Sequence, residues 1–171
     1  MSHDAASPRR LADRMDVRDL VDRYLAGLDE AEFDDAWARS FFTEGGRFEF
    51  AMGGHEGAAG MAEFTAAMMG KWRRTHHMAA GHIVEVDGDR ARVRGNLLAT
   101  HLHPREAAPD GPSGRPASRE TSAAAPEPFQ TGDRFEGEAV RTEAGWRFAR
   151  LAFEVIWTRG TPPVRAAIHD S

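Results

Sequence analysis

Apolar residues near the start of the chain repeat with the period of a helix. The i, i+3, i+4, i+7 spacing of a helix with one buried face is followed by Val17, Leu20, Val21, Tyr24, Leu25 and Leu28. Asp16 is a candidate cap for this helix, and the charged residues before it predict a flexible lead over residues 1–15. Two further helical patterns cover Glu32–Phe42 and Met61 to about Trp72.

The period of the apolar pattern changes to two from Thr75 onward. Thr75–Val86 and Arg90–His103 are strand-like and flank Asp87-Gly88-Asp89, which is a strong hairpin signal. Phe129–Thr142 and Trp146–Trp157 form a second such pair. Helices followed by long antiparallel strands predict an α+β fold, with the N-terminal helices packed over a cone-shaped, curved antiparallel sheet, as in an α+β barrel.

A short strand and a long loop complete the predicted organisation. Arg47–Met52 alternates between polar and apolar residues after Gly45-Gly46, which we expect to end the second helix. Residues 104–128 are rich in Pro, Ala, Ser, Gly and charge, which predicts a mobile loop insertion. A chain of 171 residues is long enough for one core, so we expect one domain over residues 16–158 and a tail over 159–171.

Composition narrows the class of protein. The chain has 22 Lys+Arg against 27 Asp+Glu, and the formal net charge of −5 argues against a nucleic-acid partner. There is no cysteine, which fits a cytoplasmic location. The N-terminus is charged where a signal peptide would need an apolar stretch, and no apolar run approaches membrane-spanning length. We therefore expect a soluble cytoplasmic protein without a membrane partner.

One carboxylate lies where the first helix should be apolar. Asp29 continues the buried row that contains Val17, Val21 and Leu25. Burying it without a partner would cost roughly 2–7 kcal/mol, so we expect a partner, and a histidine such as His77 is the obvious candidate. A carboxylate on one imidazole nitrogen fixes the tautomer and makes the other nitrogen a better base. Alternatively, Asp29 caps a helix or forms a salt bridge and His77 is a satisfied core residue.

Other residues could complete a site around this pair. Tyr24 is the only tyrosine and lies about one turn before Asp29, so it could donate a hydrogen bond to a substrate oxygen. On the predicted strand Arg90–His103, one small and apolar face ends in His101 and His103. Strict alternation puts His76, rather than His77, on the face of Val84, but a bulge near Gly81 would reverse this parity. The predicted apolar lining of the pocket is Phe48, Phe50, Met52, Met68, Leu97, Phe153 and Trp157.

These patterns resemble a known family. The first helix ends in Tyr-x4-Asp and is followed by Phe-Phe-Thr-Glu, Thr-His-His and a closing Gly-Trp-Arg-Phe strand. From about Val17 to Trp157, apart from the loop, the chain resembles the SnoaL-like branch of the nuclear transport factor 2-like fold. Within that branch it is most similar to the group that contains scytalone dehydratase, lindane dehydrochlorinase and bile acid 7α-dehydratase.

The resemblance implies roles for individual residues. Enzymes of that group eliminate a leaving group with a His-Asp dyad, whose members match His77 and Asp29. The tyrosine of the bile acid enzyme matches Tyr24, and the second histidine of scytalone dehydratase falls near His101. Phe48 stands where scytalone dehydratase has a tyrosine, which argues against the same substrate.

The predicted function follows from the dyad and the pocket. We expect a cofactor-independent lyase of dehydratase type that acts on a small apolar, oxygenated and cyclic compound. The alternatives are a polyketide or terpenoid cyclase or isomerase, and a noncatalytic ligand-binding or dimerisation module. We expect no cofactor and no metal, although Gly95-x5-His101-x-His103 imitates the start of a cupin metal motif. Apolar residues on both faces of the last two strands predict a homodimer or homotrimer formed through the sheet.

Overall fold

The computed structural model describes residues 8–51, 53–104 and 126–163. It has three helices and six strands within these ranges, and the mixed α+β class predicted from the sequence is confirmed. The elements in chain order are α1 (Pro8–Glu30), α2 (Asp35–Phe41), β1 (Phe42–Phe50), β2 (Gly53–Glu56), α3 (Met61–Met69), β3 (Arg74–Asp87), β4 (Arg90–Leu102), β5 (Phe129–Thr142) and β6 (Gly145–Arg159).

The six strands form one curved sheet that does not close into a barrel. Their order across the sheet is β2-β1-β6-β5-β4-β3. The long strands β3 to β6 are antiparallel neighbours, as predicted. The prediction of a wholly antiparallel sheet is wrong at one pair, because β1 runs parallel to β6. No tight hairpin joins these two strands, so chain connectivity does not impose the antiparallel direction on them.

The helices cover the concave face of the sheet and bury the core against it. The apolar row of α1 predicted from the sequence is fully buried there, with every member 6% exposed or less. Tyr24 lies among aromatic rings, with ring-centroid distances of 5.5 Å to Phe41, 5.7 Å to Phe42 and 6.2 Å to Phe148. This packing fills one end of the concave face and leaves the other end for a cavity.

The first helix begins earlier than the sequence predicted. It starts at Pro8, so residues 8–15 are helical and the predicted flexible lead is wrong over that range. Proline is well suited to the first helical position because it has no N–H to satisfy there. Asp13 is 6% exposed, and its Oδ1 lies 2.6 Å from Nη2 of Arg141 on β5. This ion pair anchors the early turns of the helix to the sheet.

The boundaries of the next elements also differ from prediction. α2 begins only after Asp34, whose side chain accepts a hydrogen bond of 2.6 Å from the backbone N–H of Trp37. Gly45 and Gly46 do not end this helix but lie inside β1, where the register with β6 shifts. The short strand β2 was not predicted, since its glycines resemble a turn. α3 ends at Met69 rather than near Trp72.

The convex face of the sheet carries several exposed apolar side chains. They are Met78, Ile83, Ile156 and Trp157, each 47–51% exposed. Association of two or three copies through this face stays a prediction. The predicted loop lies outside the described residues over 105–125, as does the predicted tail over 164–171. No helix among the described residues has the length and apolar character needed to cross a membrane.

Candidate active site

Asp29 lies in the last turn of α1, where the chain leaves the helix. Ala31 has a positive φ of 58° and marks that exit. A carboxylate near a helix C-terminus is disfavoured by the helix dipole, so it needs other stabilisation. Three hydrogen bonds from β3 supply it. Thr75 Oγ1 donates to Oδ1 at 2.8 Å, the backbone N–H of His77 donates to Oδ2 at 2.9 Å, and His77 Nδ1 lies 2.7 Å from Oδ1.

These contacts make Asp29 and His77 a hydrogen-bonded dyad. Burial raises the pKa of Asp29. The hydrogen bonds from His77 and Thr75 and the charge of His77 lower it by more, so the net pKa lies below its usual value. The ionised carboxylate can only accept, so Nδ1 of His77 donates this hydrogen bond, and Nε2 is the ring nitrogen that is not bonded to Asp29. The His77 side chain is 4% exposed. The predicted proximity of the two side chains is confirmed.

A bulge in β3 decides which histidine faces the helices. The register between β3 and β4 shifts between Ala80 and Ile83, and Gly81 within the shift has a positive φ of 69°. The extra residue reverses the alternation, so that His77 and Val84 share the concave face although they are an odd number of residues apart. His76 is exposed on the convex face. The bulge near Gly81 considered from the sequence is therefore present, and His77 rather than His76 faces the helices.

His101 is a second buried imidazole beside the dyad. It is 8% exposed, and its ring centroid lies 5.6 Å from that of His77 in a T-shaped arrangement. Its Nδ1 lies 3.4 Å from the carbonyl oxygen of Phe129, and because a carbonyl can only accept, Nδ1 carries the proton. Burial, and then the nearby charge of His77, lower the pKa of His101 to about 4. His101 is thus neutral at pH 7, with the lone pair of Nε2 available.

A cavity of about 610 Å³ opens beside these side chains. His77, His101 and Tyr24 line it, together with five of the predicted apolar residues. Those five are Phe48, Phe50, Met68, Leu97 and Phe153. Trp72 also lines the cavity, and its ring centroid lies 4.8 Å from that of His101 and 5.8 Å from that of Phe129.

Two predicted lining residues are not part of the described cavity wall. Met52 lies outside the described residues. The prediction is wrong for Trp157, which is 47% exposed and covers Gly132 on the convex face. The register between β5 and β6 shifts between Gly132 and Asp133, so one extra residue in β6 turns Trp157 away from the face of Phe153.

Tyr24 contributes its ring to the cavity wall. The residue is 1% exposed, and burial raises the pKa of its phenol, which keeps the hydroxyl protonated. Among the described residues the hydroxyl has no hydrogen-bond partner. It is therefore an unused donor at the edge of the cavity.

Asp133 is a cavity residue that the sequence reasoning missed. It lies on β5, is 4% exposed and lines the same cavity as His77. A signal for it was present, because Thr131 and Asp133 continue the alternating row of Phe135, Gly137 and Ala139. A carboxyl group on a buried strand row is as unusual as Asp29 on its helix row.

Comparison with known protein families places the chain. The sequence model of a protein family, described as a SnoaL-like domain, matches residues 9–152. The chain belongs to the SnoaL-like family. A comparison of this SnoaL-like protein with curated proteins gives no match.

Solved structures with the same fold include proteins of several kinds. The Kfla4162 protein of Kribbella flavida is 27% identical, with 86% of this chain and 93% of that one covered and a TM-score of 0.70. The type 3 hexachlorocyclohexane dehydrochlorinase of Novosphingobium barchaimii is 17% identical, with coverages of 95% and 96% and a TM-score of 0.68. A nuclear transport factor 2-like protein of Salmonella enterica is also 17% identical, with coverages of 94% and 97% and a TM-score of 0.64.

The fold also bears on the cupin-like histidine motif. His103 Nε2 lies 2.9 Å from the carbonyl oxygen of Thr161, and its ring centroid is 5.1 Å from that of Trp72. Across residues 8–51, 53–104 and 126–163, no three His, Asp or Glu side chains are grouped so that they could hold a metal ion. In the described structure, the second histidine of the motif is therefore bonded to the backbone just after β6.

Proposed function

We propose that this SnoaL-like protein is a cofactor-independent lyase of dehydratase type. Its substrate would be a small, apolar, cyclic compound that carries a hydroxyl group and a carbonyl group, as in natural-product or steroid and terpenoid metabolism. One observation carries the proposal. The carboxylate of Asp29 holds His77 Nδ1 at 2.7 Å in a largely apolar cavity and leaves Nε2 free to act as a base.

The reaction would proceed by proton removal followed by loss of water. Nε2 of His77 takes a proton from the carbon next to the carbonyl, and the electrons of that C–H bond form a C=C bond. The C–O bond to the hydroxyl on the next carbon breaks, and the leaving oxygen takes the proton back from His77 to leave as water. Asp29 stabilises the imidazolium between these two steps.

Two further residues fit different parts of this reaction. The hydroxyl of Tyr24 is free to donate a hydrogen bond to the carbonyl oxygen or to the leaving hydroxyl. His101 donates the hydrogen bond of its Nδ1–H to the carbonyl oxygen of Phe129, so it offers the cavity only the lone pair of Nε2. Its role would be to accept a hydrogen bond from the substrate hydroxyl and so orient it, rather than to donate a proton to it.

Related chemistry gives two alternatives that the same cavity would support. An isomerase or cyclase of polyketide or terpenoid intermediates would use the base without a leaving group. A noncatalytic binding module would use only the cavity. The free Nε2 beside an ionised Asp29 favours catalysis, and the structurally similar dehydrochlorinase is itself named for an elimination.

Two probe compounds separate these functions. In D₂O, a base that acts next to a carbonyl exchanges the α-protons of 1-tetralone, which mass spectrometry detects. Loss of water from 3-hydroxycyclohexanone gives a conjugated enone, which absorbance detects. The proposal expects both reactions, with no effect of a chelator. Exchange alone would indicate the isomerase or cyclase, and binding without either reaction would indicate the module. Inhibition by a chelator, reversed by one metal and absent in His101→Ala, would instead support a catalytic metal bound at His101.

A further inference from the structure

The bulge in β3 consists of Gly81 and His82, which together lie opposite the single residue Gly95 of β4. Gly81 adopts the positive φ of 69° that a glycine bulge requires. His82 carries a side chain that is 4% exposed, although its imidazole ring has polar nitrogens. Because the bulge turns His77 toward the helices, the contacts that hold the bulge in place also bear on the dyad.

The imidazole of His82 lies between α1 and β5. Its Nε2 is 3.3 Å from Oδ1 of Asp22 on α1. Its ring centroid is 5.6 Å from that of Phe135 on β5. The Phe135 ring in turn packs directly over Gly95, where an added Cβ would lie 2.6 Å from it. The bulge is thus held by one contact to the helix and one contact to the sheet.

Packing alone does not explain a histidine at position 82. Nε2 is buried, and its approach to Asp22 is not aligned as a hydrogen bond, so it has no hydrogen-bond partner among the described residues. A buried polar atom in this state lowers stability, and a phenylalanine or leucine would avoid that cost. Unlike those side chains, histidine provides an N–H group that a carboxylate attracts.

A second contact between a histidine and an aspartate joins the same two elements. Asp22 and Asp29 lie on one face of α1, two turns or roughly 10 Å apart. His82 and His77 are separated on β3 by roughly 13 Å, because the bulge takes up one of the residue steps between them. A strand held at one point is able to pivot or slide. Two contacts fix both its position along α1 and its rotation.

We propose that His82 is a positioning residue for the dyad of His77 and Asp29. By holding the bulge against Asp22, it keeps the first half of β3 in the register in which His77, rather than His76, faces the helices. His82 does not line the described cavity, so it acts through His77 and not on the bound molecule. This role deepens the proposed function and rests on it only for the effect on rate, where a displacement of about 1 Å is able to cost roughly a hundredfold.

The tautomer of His77 tests the positioning without turnover. Nitrogen NMR shifts distinguish protonated from unprotonated ring nitrogens at alkaline pH, and the signals that disappear in His77→Gln assign the residue. The wild type should have its proton fixed on Nδ1. His82→Phe keeps a ring beside Phe135 but removes the N–H group, and Asp22→Asn removes the charge that attracts it. In both variants the His77 signals should move toward the average of the two tautomers, and unchanged signals in both would overturn the proposal.

Kinetics of deuterium exchange into 1-tetralone test the consequence for the reaction. His82→Phe should lower kcat roughly tenfold and leave KM within about twofold, because the cavity wall is unchanged. Asp22→Asn should lower kcat in the same direction and add no loss in the His82→Phe background, since the contact is already absent there. Asp19→Asn changes an exposed carboxylate one turn earlier on α1 and should have no effect. Equal losses in Asp19→Asn and Asp22→Asn, or additive losses in the double variant, would contradict the proposal.

The two measurements separate this inference from the proposed function. If His77 responds to both substitutions but the wild type exchanges no proton, the proposed function fails and the positioning role stands. If the wild type exchanges protons and neither measurement responds, only the positioning role fails. Should circular dichroism show that His82→Phe does not fold, Asp22→Asn alone decides, because its side chain is 55% exposed and its replacement leaves the core intact.

Discussion

Two carboxyl groups lie near opposite ends of α1, Asp13 buried and Asp29 partly buried, and they have different partners. Asp13 pairs with Arg141 at 2.6 Å, and Arg141 also reaches Asp89 at 3.0 Å and lies 4.5 Å from the ring centroid of Trp146. Asp29 pairs with His77 at 2.7 Å, and His77 lines the cavity. The separation of sixteen residues corresponds to roughly 24 Å along the helix, so the two pairs are independent.

The two partners differ in whether they can exchange a proton, and this decides whether each pair can take part in chemistry. Arginine keeps its proton at all ordinary pH values, so the pair of Asp13 and Arg141 can only hold α1 against β5. Histidine exchanges its proton near neutral pH, so Asp29 can change the basicity of a group that faces a ligand. A buried carboxylate alone therefore does not indicate a site, but the titratable partner and the adjoining cavity do.

Equivalent substitutions at the two positions should differ greatly in their effect on the rate. Asp29→Asn preserves shape but removes the charge that holds the His77 tautomer and stabilises its imidazolium. It should lower the rate of proton exchange into 1-tetralone by roughly 10²–10⁴-fold. Asp13→Asn should change that rate less than twofold. Similar losses in both variants would show that the rate reflects overall stability, and the comparison would break down.

The free energy of unfolding should also decrease in acid, and His101 beside the cavity should account for part of that decrease. Its pKa in the folded protein is about 4, below the ordinary 6.5, so the unfolded chain takes up this proton first as the pH falls. The corresponding stability is fully present above pH 6.5 and is lost as the pH falls toward 4, by roughly 3 kcal/mol in total. Urea unfolding at several pH values should show this loss in the wild type and a smaller loss in His101→Phe. Equal losses would contradict a neutral buried His101.

The arginine end should contribute mainly to stability. Asp13→Asn leaves Arg141 with Asp89 alone, and because the Arg141 side chain is 26% exposed, solvent compensates part of the loss. The free energy of unfolding should fall by roughly 1–2 kcal/mol, measured by urea titration at pH 7. Arg141→Gln should give a loss of similar size, and no loss in either variant would mean that other contacts hold the start of α1.

The sequence was most informative where one residue contradicts a regular pattern. Asp29 stands out because Val17, Val21 and Leu25 before it on the same helix row are apolar, and the desolvation cost of a carboxylate predicts a partner. The resemblance to SnoaL-like proteins then identified His77 among eight histidines. The same argument applied to β5 would have identified Asp133, whose strand row continues through Phe135 and Ala139.

Bulges explain why other parts of the site could not be predicted. A strand pattern assigns faces only while the alternation is unbroken, and one inserted residue reverses every later assignment. The glycine at position 81 gave a visible reason in the sequence to expect such a reversal between His77 and Val84, and its positive φ fits the bulge found there. No glycine or proline marks the corresponding shift in β6, so Trp157 was placed on the wrong face. The parallel pairing of β1 depends on contacts distant in sequence and leaves no local signal.

The adjacent histidines allow the most direct test of the central claim, that His77 is a base aimed at the cavity. His77→Ala and His76→Ala remove the same group at neighbouring positions of β3, but only His77 reaches Asp29 and the cavity, while His76 is exposed on the convex face. The measurement is deuterium exchange into 1-tetralone at pH 7, with binding of 1-tetralone measured in parallel. His77→Ala should lose roughly 10²–10⁴-fold in exchange rate and still bind, while His76→Ala should match the wild type. Full exchange in His77→Ala, or equal loss in both variants, would contradict the account.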